Sequence, residues 1–353
     1  MFSLFEYPAA NTLTRSIKAY LLRADEWNAL VTADDLLAAL NALLATAYGN
    51  SFEYSTVQAD TLPSLREVEH TIRTTTIRSM CKLLRFVHGT PATLIIGLLH
   101  RYELLNIKKT LRRLTQADQR RSQLAIDDYR LDRYGLVPFL DWAGIKDLQK
   151  LGRCLEPTYY GEVYRDGLAA FLENNDLLIF ESMLEKEYHT ELLRRAAALS
   201  LIEQAAVGNF IGSYLDEVCL TKLVRMRYHY GMDPPAIYPL LPLEGCLNLN
   251  ESVFWRVADA EGEAECMERL KQERAWLQLA GKTARETVQN IRRRRRILCR
   301  DVFLRSSPMR FTPLIAYYFL KEQEIIEIIA LLQTKRFKLA VHPDSFILAV
   351  EAA

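Results

Sequence analysis

The sequence predicts an all-α protein built from three similar helical domains. Three observations predict it: apolar residues recur at helical spacing, helix-start signals punctuate the chain, and one helix motif occurs three times at a period near 110 residues. Strand-type alternation and Asn-Gly hairpin turns are almost absent.

The elements follow in order. Thr32 followed by Asp35 offers a cap with an acid in the first turn, and Leu36, Leu37, Leu40, Leu43 and Leu44 form an apolar stripe behind it. Ser64 with Glu67 reads as a capping box opening a helix through Ile72, Met80 and Leu84. Thr90-Pro91 and Thr312-Pro313 each place a capping hydroxyl before a proline at the first helical position, where a missing N–H does no harm. From Ala196 to Leu215 the residues Leu199, Ile202, Ala206, Phe210, Ile211, Tyr214 and Leu215 recur at helical spacing, interrupted by Glu203, Gln204 and Asn209. That pattern reads as a buried helix rather than a membrane span, which needs roughly 20 apolar residues. Gly208 and Gly212 within it form a GxxxG, read as close helix packing in a core rather than as a membrane dimer face.

The repeat is carried by RYELLNIKKTLRRL around Glu103, YLDEVCLTKLVRMRYHYG around Asp216 and KEQEIIEIIALLQTKRF around Glu324. In each, an acid is followed four residues later by an aliphatic residue and then by a basic or polar cluster. The acids lie 113 and 108 residues apart, and the Thr-Pro starts precede Glu103 by 13 and Glu324 by 12. A weaker repeat relates Thr46 and Tyr48 to Thr158 and Tyr160, with its third copy degraded. Solenoid repeats have periods of about 33 to 47 residues, so a period this long implies separate domains. The polar run Gln116–Arg121 and Gly231-Met-Asp-Pro-Pro235 place boundaries near 118 and 233, giving domains 1–118, 119–233 and 234–353. The acidic stretch from Asp259 to Glu265 reads as a loop or a helix start.

With 353 residues, 50% apolar and 25% charged, the chain can form several cores and is not a disordered tail. A formal charge of +1 provides no global field toward nucleic acid or an anionic membrane. The six cysteines are scattered without a CxxC pair, and the opening MFSLFEYPAANTLTR lacks a signal-peptide pattern; both fit a reducing cytoplasm.

Catalytic motifs fail one by one. Gly281-Lys282-Thr283 ends like a phosphate-binding loop, but Trp276 stands where its first glycine must be. There is no GxGxxG, GxSxG or HExxH, and the six histidines show no zinc-ligand spacing. No cofactor or metal is expected.

Two features remain as candidates for partner binding. The run Arg292, Arg293, Arg294, Arg295, Arg296 turns through about 400° of helix, so it surrounds the axis and some arginines must lie against protein. It is open to a solvated or internally paired reading, an acidic protein partner, or nucleic acid, the last disfavoured by the balanced charge and lack of interleaved aromatics. Glu103, Asp216 and Glu324 are open to a structural role within their own domains or a partner-facing role at equivalent places.

The ordered motifs, from about Tyr7 to Lys338, resemble one family of V/A-type rotary ATPase (ATP synthase) components, designated C in bacteria and archaea and d in eukaryotes. The opening with Tyr7 and Asn11, YELLNIKKTLRR, LLPLEGCLN around Gly245, and FTPLIAYYFLKEQEIIEIIALLQTKRF carry the likeness. The second repeat has Cys219 and the third Glu327 where the first has Asn106, and the acidic stretch Glu261–Glu268 has no evident counterpart. The resemblance implies a funnel of three domains under pseudo-threefold symmetry with no active site. It further implies a peripheral place on the cytoplasmic face of the membrane, the D and F components of the central stalk and the proteolipid ring as partners, and torque transmission as the role.

Overall fold

The computed structural model describes residues 7–52, 64–115 and 128–339. Among these are fourteen α-helices and no strand. They are α1 (Pro8–Lys18), α2 (Ala24–Thr32), α3 (Leu36–Leu44), α4 (Leu65–Leu83), α5 (Gly89–Thr115), α6 (Leu148–Leu155), α7 (Gly161–Asn174), α8 (Leu177–Ala197), α9 (Leu201–Val224), the single turn α10 (Pro234–Ile237), α11 (Glu251–Ala258), α12 (Glu263–Lys271), α13 (Ala284–Arg305) and α14 (Thr312–Arg336). Short helices lead three times into a long pair: α4 and α5 of 19 and 27 residues, α8 and α9 of 21 and 24, α13 and α14 of 22 and 25. The expected boundary near 118, with Gln116–Arg121, lies outside the described residues. Near 233, Gly231 takes φ +67°, open to glycine, and Pro234 starts α10.

The chain forms two compact units, Met1–His88 with Gln289–Ala353, and Gly89–Val288. In the first, α14 packs against α1, α3 and α4. Its core joins Trp27, Leu30, Leu40, Leu43, Tyr48, Val68 and Ile72 to Ile325, Ile328, Leu331 and Leu332 of α14. In the second, α5 packs along α8, which also carries α7. In both units, the second long helix of one repeat therefore lies beside the first long helix of another.

Local signals account for most helix starts. Ser64 and Glu67 close the capping box: the Ser64 N–H donates to Glu67 Oε2 at 2.7 Å, and the Glu67 N–H donates to Ser64 Oγ at 3.3 Å. The cap of α3 is Asp35, whose Oδ1 accepts from the Ala38 N–H at 2.8 Å, while Thr32 ends the preceding helix. A carboxylate one residue before the helix accepts better than a hydroxyl three residues further back. Leu37 of the predicted stripe is exposed. The segment 196–215 is not one helix. α8 ends at Ala197, Ser200 turns the chain in extended conformation, and Ile202, in the first turn of α9, is 63% exposed. The acidic stretch serves as both loop and helix start, with α12 beginning at Glu263. No helix among the described residues is long and apolar enough to cross a membrane.

Candidate functional site

Residues at i, i+4 and i+7 share one face of a helix, and on α9 those residues are Gly212, Asp216 and Cys219. That face seats residues 245–249, part of the LLPLEGCLN stretch. Gly212 leaves room for Leu247, whose N–H donates to the Gly212 carbonyl at 3.3 Å; a Cβ there would meet Leu247 Cβ at 3.1 Å. Gly208 faces open space, so the GxxxG admits a loop rather than a second helix. Asp216, fully buried, accepts from the Asn248 and Leu249 N–H groups, both at 2.9 Å, and from Asn248 Nδ2 at 2.7 Å. Burial raises its pKa, and these three donors oppose that rise.

The same arrangement occurs on α5. Glu103, 4% exposed, accepts from the Leu136 N–H at 2.8 Å and the Val137 N–H at 3.2 Å. One turn on, Asn106 grips the Tyr129 backbone in both directions, Nδ2 donating to the carbonyl at 2.8 Å and Oδ1 accepting from the N–H at 3.0 Å. One turn back, His100 Nε2 lies 3.0 Å from the Tyr134 carbonyl, and burial then Arg195 lower the imidazole to about 4, so it is neutral at pH 7 and donates there. Burial raises Glu103 to about 7.

This shift carries a sign. A carboxyl whose folded pKa stands above its ordinary 4.5 gives stability that is full below that value and lost as pH rises through about 7. Relative to Glu103→Gln, the native chain is expected to lose about 3 kcal/mol between those limits, measured as urea midpoints at each pH. Parallel pH profiles for the two proteins would refute it.

On α14, Glu324 is 1% exposed and accepts from the Leu22 N–H at 2.8 Å and the Tyr48 hydroxyl at 2.6 Å. Lys321 donates to the Tyr48 oxygen at 2.7 Å and lies 3.6 Å from Glu324. Burial lowers Lys321 and Glu324 opposes it. The three repeated acids thus do one thing: each accepts at least one backbone N–H from a connecting segment. The helix of the first repeat holds residues 136–137, that of the second holds 248–249, and that of the third reaches back to Leu22.

The weaker repeat has matching geometry. Thr46 Oγ1 donates to the Leu43 carbonyl and accepts from the Tyr48 N–H, while Thr158 Oγ1 donates to the Leu155 carbonyl and accepts from the Tyr160 N–H. Both tyrosines are buried. In the third repeat Trp276, fully buried after α12, donates its indole N–H to the Asn248 carbonyl at 3.3 Å. The paired backbone turns Leu43–Thr46–Gly49 and Leu155–Thr158–Gly161 recur as Leu270–Glu273–Trp276, so Ala275 stands at the tyrosine's position and Trp276 at the glycine's.

Basic residues after the acids are also committed internally. Arg112 pairs with Glu181 through two 2.6 Å bonds, and Lys108 and Lys222 converge on Glu185, whose pKa they hold down at about 2 against its burial. In the arginine run, Arg295 is 5% exposed with its guanidinium 5.7 Å from the Phe319 ring centre, whereas Arg294 is exposed and Arg292, Arg293 and Arg296 are half-buried. The run does surround its helix. Arg296 and Arg300 line a cavity of about 470 Å³ with Lys18, Leu22, Trp27 and Leu320; burial, then those two arginines, lower Lys18. Gly281-Lys282-Thr283 is a helix entry: Thr283 Oγ1 accepts from the Glu286 N–H at 3.1 Å, and Glu286 accepts from the Lys282 N–H at 2.7 Å.

Carboxylates that hold the protein's own segments, repeated along three long helices, define a helical repeat protein. A family model described as ATP synthase (C/AC39) subunit matches residues 10–342, nearly the whole chain, and the chain belongs to that family. Its members are parts of the V/A-type rotary ATPase complexes, typically non-catalytic, and membership implies a role in the rotor. No curated protein matches the chain.

Proposed function

We propose that the chain is a socket in the central rotor of a V/A-type ATPase, receiving the D and F components of the central stalk on one side and seating on the membrane proteolipid ring on the other. Family membership over residues 10–342 carries this reading. A spacer between rotating parts transmits torque only if it resists twisting, and three buried carboxylates that each clamp a connecting segment supply such stiffness. That Glu324 closes on Leu22 supports a cyclic arrangement of three domains, 1–118, 119–233 and 234–353, under pseudo-threefold symmetry in a funnel. In this reading Arg292, Arg293 and Arg296 meet acidic partner surfaces and fix orientation more than affinity. Arg295, under Phe319, and the enclosed Glu103, Asp216 and Glu324 keep the shape that presents them. The protein works peripherally, on the cytoplasmic face, for ATP-linked proton or sodium transport.

Co-purification tests this. A tagged chain is expected to bring down D, F and the proteolipid ring from solubilised membranes. Failure to associate with either reconstituted stalk or ring would overturn the socket.

A further inference from the structure

On the face of α9 that holds residues 245–249, the position three residues after the acid is Cys219, and it meets Cys246 with the two sulfurs 3.4 Å apart. In the first repeat the corresponding Asn106 fixes its segment by two hydrogen bonds to Tyr129. The second repeat has a pair of thiols there instead. We propose that Cys219 and Cys246 form an intramolecular disulfide site, oxidised by low-molecular-weight disulfides, that covalently fastens residues 245–249 to α9.

The geometry favours this pair. Backbone bonds hold the segment next to both thiols: Leu247 N–H to the Gly212 carbonyl, Asn248 and Leu249 N–H groups to Asp216. Gly245 lets the chain approach closely, since a Cβ there would lie 2.4 Å from Leu193 and 2.5 Å from Leu215. A disulfide needs sulfurs about 2.0 Å apart, so closing the contact takes a shift of roughly 1.4 Å, within reach of χ1 rotations in a fixed frame. Cys219 is fully buried and Cys246 half-buried, which sets the order of events.

The Cys246 thiolate attacks oxidised glutathione, forming a mixed disulfide and releasing one glutathione thiol, which carries the proton. The Cys219 thiolate then attacks the Cys246 sulfur and expels the second glutathione thiol. Two cysteine sulfurs are oxidised, two glutathione sulfurs are reduced, and both cysteine protons leave on glutathione. The hydrogen bond to Cys219, and then burial, push the Cys246 thiol up, so thiolate is scarce and the bond forms slowly. In a reducing compartment the pair stays as thiols, and sustained oxidation converts it.

The test uses the purified full chain incubated with oxidised glutathione. The expected product is a monomer lighter by two hydrogens, with a peptide joining Cys219 to Cys246 after digestion. Its melting temperature should rise by several degrees and return to the starting value with dithiothreitol. Cys246→Ser should abolish both the mass change and the shift, while Cys154→Ser leaves both in place. Glutathione retained on Cys246, cross-links among Cys81, Cys154, Cys266 or Cys299 instead, or six intact thiols in a chain with unchanged circular dichroism would each overturn the proposal.

Discussion

Asp216→Ala is expected to destabilise the protein by about 3–5 kcal/mol, because it strands the Asn248 and Leu249 N–H groups and the Asn248 amide, each worth about 1–3 kcal/mol when buried without a partner. Asp216→Asn should cost less, about 1–2 kcal/mol, since an amide oxygen still accepts from the backbone and carries no charge to desolvate. Urea unfolding followed by circular dichroism compares the two. Equal and small losses would mean that residues 245–249 hold their place without the carboxylate.

A larger imbalance follows from removing Glu324. Glu324→Leu removes the carboxylate 3.6 Å from the Lys321 ammonium, whose side chain is 6% exposed, and leaves it against the Tyr48 hydroxyl and ring. Breaking one side of such a pair costs about 3–5 kcal/mol. Replacing both partners, Lys321→Met with Glu324→Leu, should recover part of that loss, because the uncompensated charge is gone while the Leu22 N–H and the buried Tyr48 hydroxyl lose the partners described above. A double variant no more stable than Glu324→Leu would show that the two charges are not coupled.

The helical class is legible in the sequence because amphipathic spacing and caps are local, as Ser64 with Glu67 illustrates. The three acids stand out for the same reason: a repeated side chain leaves a mark. Their partners do not. Glu103 and Asp216 accept from backbone N–H groups 32 to 34 positions downstream, and Glu324 from one 302 positions upstream; a backbone N–H belongs to every residue except proline, so nothing in the sequence marks it. The break at Ser200 is hidden because the apolar spacing of Leu199 and Ile202 runs across it, although Ile202 points outward. Trp276 stands out in the sequence only for spoiling a phosphate loop, and its buried role depends on reaching Asn248. Cys219 and Cys246 look scattered at 27 residues apart, and only the segment held by Asp216 unites them.

The bond from Leu22 to Glu324 has a bearing on how the chain is made. During synthesis, residues 136–137 and 248–249 emerge after Glu103 and Asp216 and find their acceptors already present, so 89–288 can consolidate as a contiguous stretch while translation continues. Leu22 must wait for Glu324, and the core of Trp27, Leu40 and Ile72 must wait for Ile325, Ile328 and Leu331. Leu22, Trp27, Leu40 and Ile72 therefore leave the ribosome long before they are buried. Their apolar helices stay uncovered until residues 324–332 emerge, the stage at which a chaperone has the most to bind.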